Sequence, residues 1–85
     1  MAVSKSEIRD WLTNKNLKPE NATHMIVVCD TFDYDDYPVY VVKGESVKAK
    51  EDTHNNKNMQ KVVEIYSFNY DIEKQLNEYR AFHYD

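Results

Sequence analysis

Met25-Ile26-Val27-Val28-Cys29 and, further on, Val39-Tyr40-Val41-Val42 are the stretches that decide the fold. Each is a continuous apolar run rich in β-branched residues, too short for a helix and bounded by turn-forming residues. An unbroken run of this kind, with no polar alternation, suits a strand buried on both faces. Pro38 stands at the start of the second run, where a missing N–H is tolerated. The pair reads as an antiparallel hairpin connected through residues 30–37. Gly44, the only glycine, closes the second strand.

Upstream, Ser4 and Glu7 have the spacing of a capping box, and Val3 and Ile8 that of a hydrophobic staple. Ile8, Trp11 and Leu12 then give one apolar helical face, with Trp11 placed to anchor the helix on the sheet. Thr13-Asn14-Lys15-Asn16 dilutes that face and Pro19 ends it. Residues 20–23 read as a polar linker. Downstream, residues 45–53 allow a short exposed helix, and Thr53-His54-Asn55-Asn56-Lys57-Asn58 reads as a turn or loop. Val62-Val63-Glu64-Ile65-Tyr66-Ser67-Phe68 is a third strand. A final helix, capped by Asn69 or Asp71, would carry Ile72, Leu76, Tyr79 and His83 on one face with Phe82 beside them. The expectation is a single α+β domain over residues 1–85. It has a small, three-stranded, mainly antiparallel sheet with helices packed on one face, in the order α-β-β-(α)-β-α.

An 85-residue chain with 41% hydrophobic residues can close one small core and has little to spare for a deep cavity. The one cysteine, Cys29, excludes an internal disulfide and suits a reducing compartment. No apolar run is long enough to span a bilayer. Residues 1–7 lack the basic and apolar segments of a signal peptide, so the expected location is the cytoplasm. A formal charge of −4 with no basic stripe disfavours nucleic acid as a direct partner.

The chemically unusual segment is Asp30-Thr31-Phe32-Asp33-Tyr34-Asp35-Asp36-Tyr37, with four aspartates, three aromatics and no base. Outside it 11 acidic residues balance 11 basic ones, so the whole charge excess resides there. Three readings compete. It is a solvated connection, since Asp forms turns and Tyr keeps its hydroxyl wet. Or it is a protein-binding surface centred on Asp33, Tyr34, Asp35, Asp36 and Tyr37. Tyrosine supplies rigid contact area there, and the carboxylates would meet a basic patch on the partner, including one that otherwise holds nucleic acid. Or Asp30, Asp33, Asp35 and Asp36 ligate a hard cation in a metal-dependent enzyme, or in a binder of a nucleotide or phosphate, with Glu64 and Lys61 as further groups. Asp33-Tyr34-Asp35 is a bare D-x-D, and Tyr37 and Pro38 break any EF-hand pattern.

Elsewhere the chemistry is thin. His24, His54 and His83 show no ligand spacing with Cys29, which reads as a small buried thiol. One glycine cannot build a phosphate loop, and no catalytic triad or paired-carboxylate scheme emerges. No catalytic residue and no cofactor is expected.

The stretch His24-Met25-Ile26-Val27-Val28-Cys29-Asp30-Thr31-Phe32-Asp33-Tyr34-Asp35-Asp36-Tyr37-Pro38-Val39-Tyr40-Val41 resembles a group of small bacteriophage and prophage-type proteins. The resemblance extends through residues 56–62 and 76–83. It supplies no activity and no site residues. It implies a phage or prophage setting, hence the host cytoplasm, where a small acidic protein would bind and modulate or inhibit a host protein. The reading carried forward is a non-enzymatic protein-binding module. A metal-dependent enzyme, and a structural domain that dimerises through an open sheet edge, are the alternatives.

Overall fold

A computed structural model describes residues 4–55, 59–78 and 81–84. The elements are α1 (Lys5–Thr13), β1 (Ala22–Asp30), β2 (Asp35–Val42), α2 (Val47–His54), β3 (Gln60–Ser67) and α3 (Ile72–Leu76). The three strands form one antiparallel sheet in the order β2-β1-β3. The α+β class and the element order are those the sequence predicts. None of the helices among the described residues is long and apolar enough to cross a membrane.

The apolar run Met25–Val28 becomes the central strand because all four of its residues are apolar and can be covered on both sides. Met25 and Val27 face one cluster, with Ile8, Leu12, Tyr66, Leu76 and Ala81. Ile26 and Val28 face the other, with Val41, Val62 and Ile65. α1 and α3 cover the first face, as expected. α2 lies on the second, where Val47 packs against that cluster. The one-face arrangement therefore holds for two of the helices. The third moves across because a strand apolar on both faces needs a cover on both.

Local signals place the helices. The Ser4 hydroxyl accepts the Glu7 N–H and starts α1; Val3, the other half of the predicted staple, lies outside the described residues. Trp11 packs against the first cluster, and its carbonyl accepts the Tyr40 hydroxyl at 2.7 Å, tying α1 to β2. Arg9 holds Glu73 of α3 through two N–H···O bonds of 2.8 and 2.9 Å. Ser46 caps α2 by accepting the Ala49 N–H, and α2 runs one residue past the helix expected over 45–53 to take in His54. Asp71, rather than Asn69, caps α3 through Glu73 and Lys74.

Two expectations are corrected. α3 does not run to His83. It stops at Leu76, where the Asn77 N–H turns back to the Glu73, Lys74 and Gln75 carbonyls. Residues 81–84 instead run extended along β3, with Phe82 bridged in parallel to Ile65; Tyr79 lies outside the described residues. The helical spacing of Ile72 and Leu76 is used within α3, its extension to His83 is fortuitous, and a sheet edge in need of backbone partners takes residues 81–84. Secondly, β2 begins at Asp35, so Pro38 sits within it, opposite Val27. An edge strand tolerates this because the missing N–H can face outward. The Val42 N–H, on the same side by strand alternation, leaves the ladder to donate to Glu45 Oε1 at 3.0 Å.

The opposite edge, on β3, is closed in pieces. The Val62 N–H donates to Asn55 Oδ1. Ile65 donates to the Ala81 carbonyl and accepts from the His83 N–H. The side-chain amide of Gln75, 1% exposed, takes both backbone groups of Ser67 at 2.8 Å each, acting as a surrogate strand. The β3 edge is therefore a poor template for pairing with a second copy, and on the β2 edge Pro38 removes one donor.

Candidate functional site at the hairpin turn

The connection between β1 and β2 is tighter than a loop over residues 30–37. Asp30 and Asp35 still pair, leaving Thr31–Tyr34 as the turn. The Tyr34 N–H closes it on the Asp30 carbonyl at 2.7 Å. Asp30 Oδ1 accepts the Phe32 N–H at 2.8 Å, and Asp33 Oδ1 accepts the Asp35 N–H at 3.4 Å. These are the self-capping contacts for which Asp is favoured in turns. Thr31 binds a distant residue: its N–H and Oγ1 both donate to the Met59 carbonyl, at 2.7 and 2.8 Å. The residue that leads into β3 is thereby held beside the turn.

The result is one end of the sheet that keeps apolar side chains in water. Phe32 is 75% exposed, Tyr34 62% and Met59 57%. Tyr34 and Met59 both have φ of 62°, the left-handed region. For a residue with a Cβ that conformation costs on the order of 1 kcal/mol, and glycine or asparagine is its usual occupant. Two large apolar residues thus occupy positions where local backbone energetics favour small ones. Strain held at exposed positions is a recognised mark of a functional segment.

The predicted binding residues divide. Asp33, Tyr34 and Asp35 lie exposed at the turn. Tyr37 does not: it is in β2 and packs with Val39 and Val47 on the second cluster. Burial, and then the charge of Asp30, raises its phenol pKa. Asp36, half-buried, pairs across the strands with Cys29. The physical reason is place along β2: Tyr37 shares the face of Val39 and Val41 over the second cluster, Asp36 turns to the opposite face, and Asp35, on the face of Tyr37, stands at the end of the ladder. Phe32 and Met59 join the surface instead. Phe32 was visible as a loop aromatic. Met59 carried only a faint signal, a long apolar residue isolated in a polar run, and its position depends on a contact across 28 residues.

Asp30 and Asp35 face each other directly, an unfavourable like-charge pair that adds to the negative potential of this end. The four aspartates named as alternative metal ligands are not gathered. Among the described residues no three His, Cys, Asp or Glu side chains form a metal-binding group. Asp30 and Asp33 turn a carboxylate oxygen to backbone N–H groups, while Asp35 and Asp36 diverge across the pleat. Glu64 is committed elsewhere: it is buried and accepts the Tyr66 hydroxyl at 2.8 Å and the Ala81 N–H at 3.2 Å.

The other chemical candidates are equally occupied. Cys29 is half-buried rather than buried, and its thiol pKa is raised, first by burial and then by the Asp36 hydrogen bond and charge. That favours the thiol, the wrong direction for a nucleophile. His24 Nδ1 meets Thr23 Oγ1, His54 Nδ1 meets Gln60 Oε1, and His83 Nε2 meets Glu78. His24 is five strand residues from Cys29, roughly 17 Å at the usual rise. A surface hollow of about 340 Å³ runs along α2, lined by Glu45, Ser46, Ala49, Lys50, Thr53 and His54. Its polar groups are bonded to the protein itself, Glu45 to Val42 and Lys50, and Thr53 to Ala49. No protein-family model, curated protein or solved structure matches the chain.

Proposed function

We propose that this protein is a non-enzymatic, acidic protein-binding module whose contact surface is the hairpin turn, met by a basic surface on the partner. The observation that carries the reading is the triplet Phe32, Tyr34 and Met59, held in water beside Asp33 and Asp35. Aromatic and methionine side chains with a charged rim are the composition of a recognition patch. The apolar group supplies buried area on binding. The aspartates steer encounter with a basic partner and resist neutral or acidic ones. The resemblance to small phage and prophage-type proteins fits this role. In that setting the partner is a host protein in the host cytoplasm, and the module modulates or inhibits it.

The test is a paired affinity capture from bacterial lysate, using wild type and a variant with Asp33→Asn, Asp35→Asn and Asp36→Asn. Circular dichroism first establishes that both baits are folded. A partner retained by wild type and lost from the variant is the expected result. Equal retention by both would move the site away from the turn.

A further inference from the structure

The two ends of the sheet differ in charge. β1 runs nine residues, Ala22–Asp30, which sets its ends roughly 27 Å apart at the usual rise. At the turn end stand Asp30, Asp33, Asp35 and Asp36; among the described residues the nearest base in the strand register is Lys61, opposite Cys29. At the far end three connections meet, residues 14–21 before β1, 43–46 after β2 and 68–71 after β3. Backbone bonds tie them to β1 and its approach: the Lys43 N–H donates to the Asn21 carbonyl at 2.9 Å and the Phe68 N–H to the Thr23 carbonyl at 3.0 Å. This end carries Lys15, Lys18 and Lys43, with Leu17 and Tyr70 left 47% and 48% exposed. Most carboxylates there are engaged: Asp10 with the Asn14 amide, Glu45 with Lys50, and Asp71 with the Glu73 and Lys74 N–H groups. Glu20 remains among the lysines. Lys15, Lys18 and Glu20 line a hollow of about 270 Å³, room for one aromatic side chain, and Lys18 Nζ lies 4.6 Å over the Phe68 ring. One end thus offers exposed apolar side chains rimmed by carboxylates. The other offers a hollow rimmed by ammonium groups beside an aromatic ring.

We propose that this far end is a docking site for the hairpin turn of a second copy of the chain. Phe32, the most exposed apolar side chain of the turn, enters the hollow between Lys15 and Lys18. Ammonium groups are attracted to the face of such a ring, and Asp33 and Asp35 meet the lysines at the rim. The contact joins unlike surfaces from opposite ends. Each docked pair therefore keeps one turn and one hollow unfilled, and further copies add in a row. An interface made by one end of so small a domain falls below the roughly 1,200–2,000 Å² of a stable complex, so the association is weak and dynamic. The proposal rests on the reading of the turn as a binding surface and adds a second copy as an occupant for it. A basic partner that takes the turn competes with this contact.

The experiment is sedimentation velocity on the full chain in low salt, from roughly micromolar to millimolar protein, the range of weak association. Two variants each break one end. The first carries Phe32→Ser, Asp33→Asn and Asp35→Asn; the second carries Lys15→Glu and Lys18→Glu. Circular dichroism establishes that both are folded. Wild type is expected to gain mass with concentration, past a dimer, and to associate at least about tenfold more weakly in high salt. Each variant alone should stay monomeric. An equimolar mixture of the two should form a dimer and stop there, because it holds one intact turn and one intact hollow per pair. A wild type that is monomeric throughout overturns the proposal, whether or not the variants fold, and leaves the lysate capture to decide the function of the turn. A lysine variant that associates like wild type overturns it in favour of contact elsewhere. A turn variant that does so overturns it together with the reading of the turn. Variants that stay monomeric when mixed also overturn it.

Discussion

Gln75→Leu is the sharpest test of how the sheet is finished. Leucine matches glutamine closely in volume and helix propensity, so the substitution at this 1%-exposed position leaves no large cavity and no helix penalty. What it removes is the surrogate strand. The Ser67 N–H and C=O, in a residue that is 0% exposed, each lose a 2.8 Å partner. A buried backbone group left unsatisfied costs about 1–3 kcal/mol. The pair therefore costs roughly 2–6 kcal/mol, against a gain of about 1–2 kcal/mol from burying leucine in place of an amide. Taken at the middle of each range, the net expectation is a loss of about 2–3 kcal/mol, which for a domain this small lowers the melting temperature by roughly 10 °C. Urea denaturation followed by circular dichroism measures it, with the slope unchanged if the fold is retained. Gln75→Glu keeps the acceptor, removes the donor and sets a carboxylate against the Ser67 carbonyl, so its loss should be no smaller. A leucine variant as stable as wild type would refute the claim that Gln75 completes the β3 edge.

Three further outcomes follow from the same geometry. Phe32→Ser should change stability by less than about 0.5 kcal/mol in urea, because the ring is exposed, while reducing retention of the captured partner. Glu64→Ala should cost about 2–4 kcal/mol in the same assay, since it strands the Tyr66 hydroxyl and the Ala81 N–H. The hydrogen bond to Glu51, and then burial, push the Tyr84 phenol up to about 12 from an ordinary 10. A raised folded-state pKa means that this contact's stabilisation is complete below pH 10 and is lost as the pH rises through about 12. Stability measured across that window should fall less steeply in Tyr84→Phe than in wild type.

Much of the fold was legible because its signals are local. The unbroken apolar run at residues 25–28 specifies a strand covered on both faces. The Ser4 and Asp71 caps and the Ile8, Trp11, Leu12 face are likewise read within a few residues. The C-terminal segment was misread because Ile72, Leu76 and His83 satisfy helical spacing, whereas the partner of residues 81–83 is Ile65, far away in sequence. The acidic segment was visible as composition, but its surface was not. Where β2 begins decides which of Asp35, Asp36 and Tyr37 reach solvent, and register is set by pairing. Met59 enters the surface through the β1–β3 pairing, which sets Gln60 opposite Asp30, and through Thr31, contacts that leave no mark in either local sequence.

The central claim is that an acidic, apolar-tipped turn recognises a basic partner. The most direct measurement is the dissociation constant of the captured partner as a function of ionic strength, for wild type and for Asp33→Asn with Asp35→Asn. Exposed charge pairs are screened over about 10 Å at 0.1 M salt. The account predicts that wild-type affinity falls on the order of tenfold or more between low and high salt, and that the variant binds more weakly with a flatter dependence. An affinity insensitive to salt, or one equally steep in the variant, would contradict it.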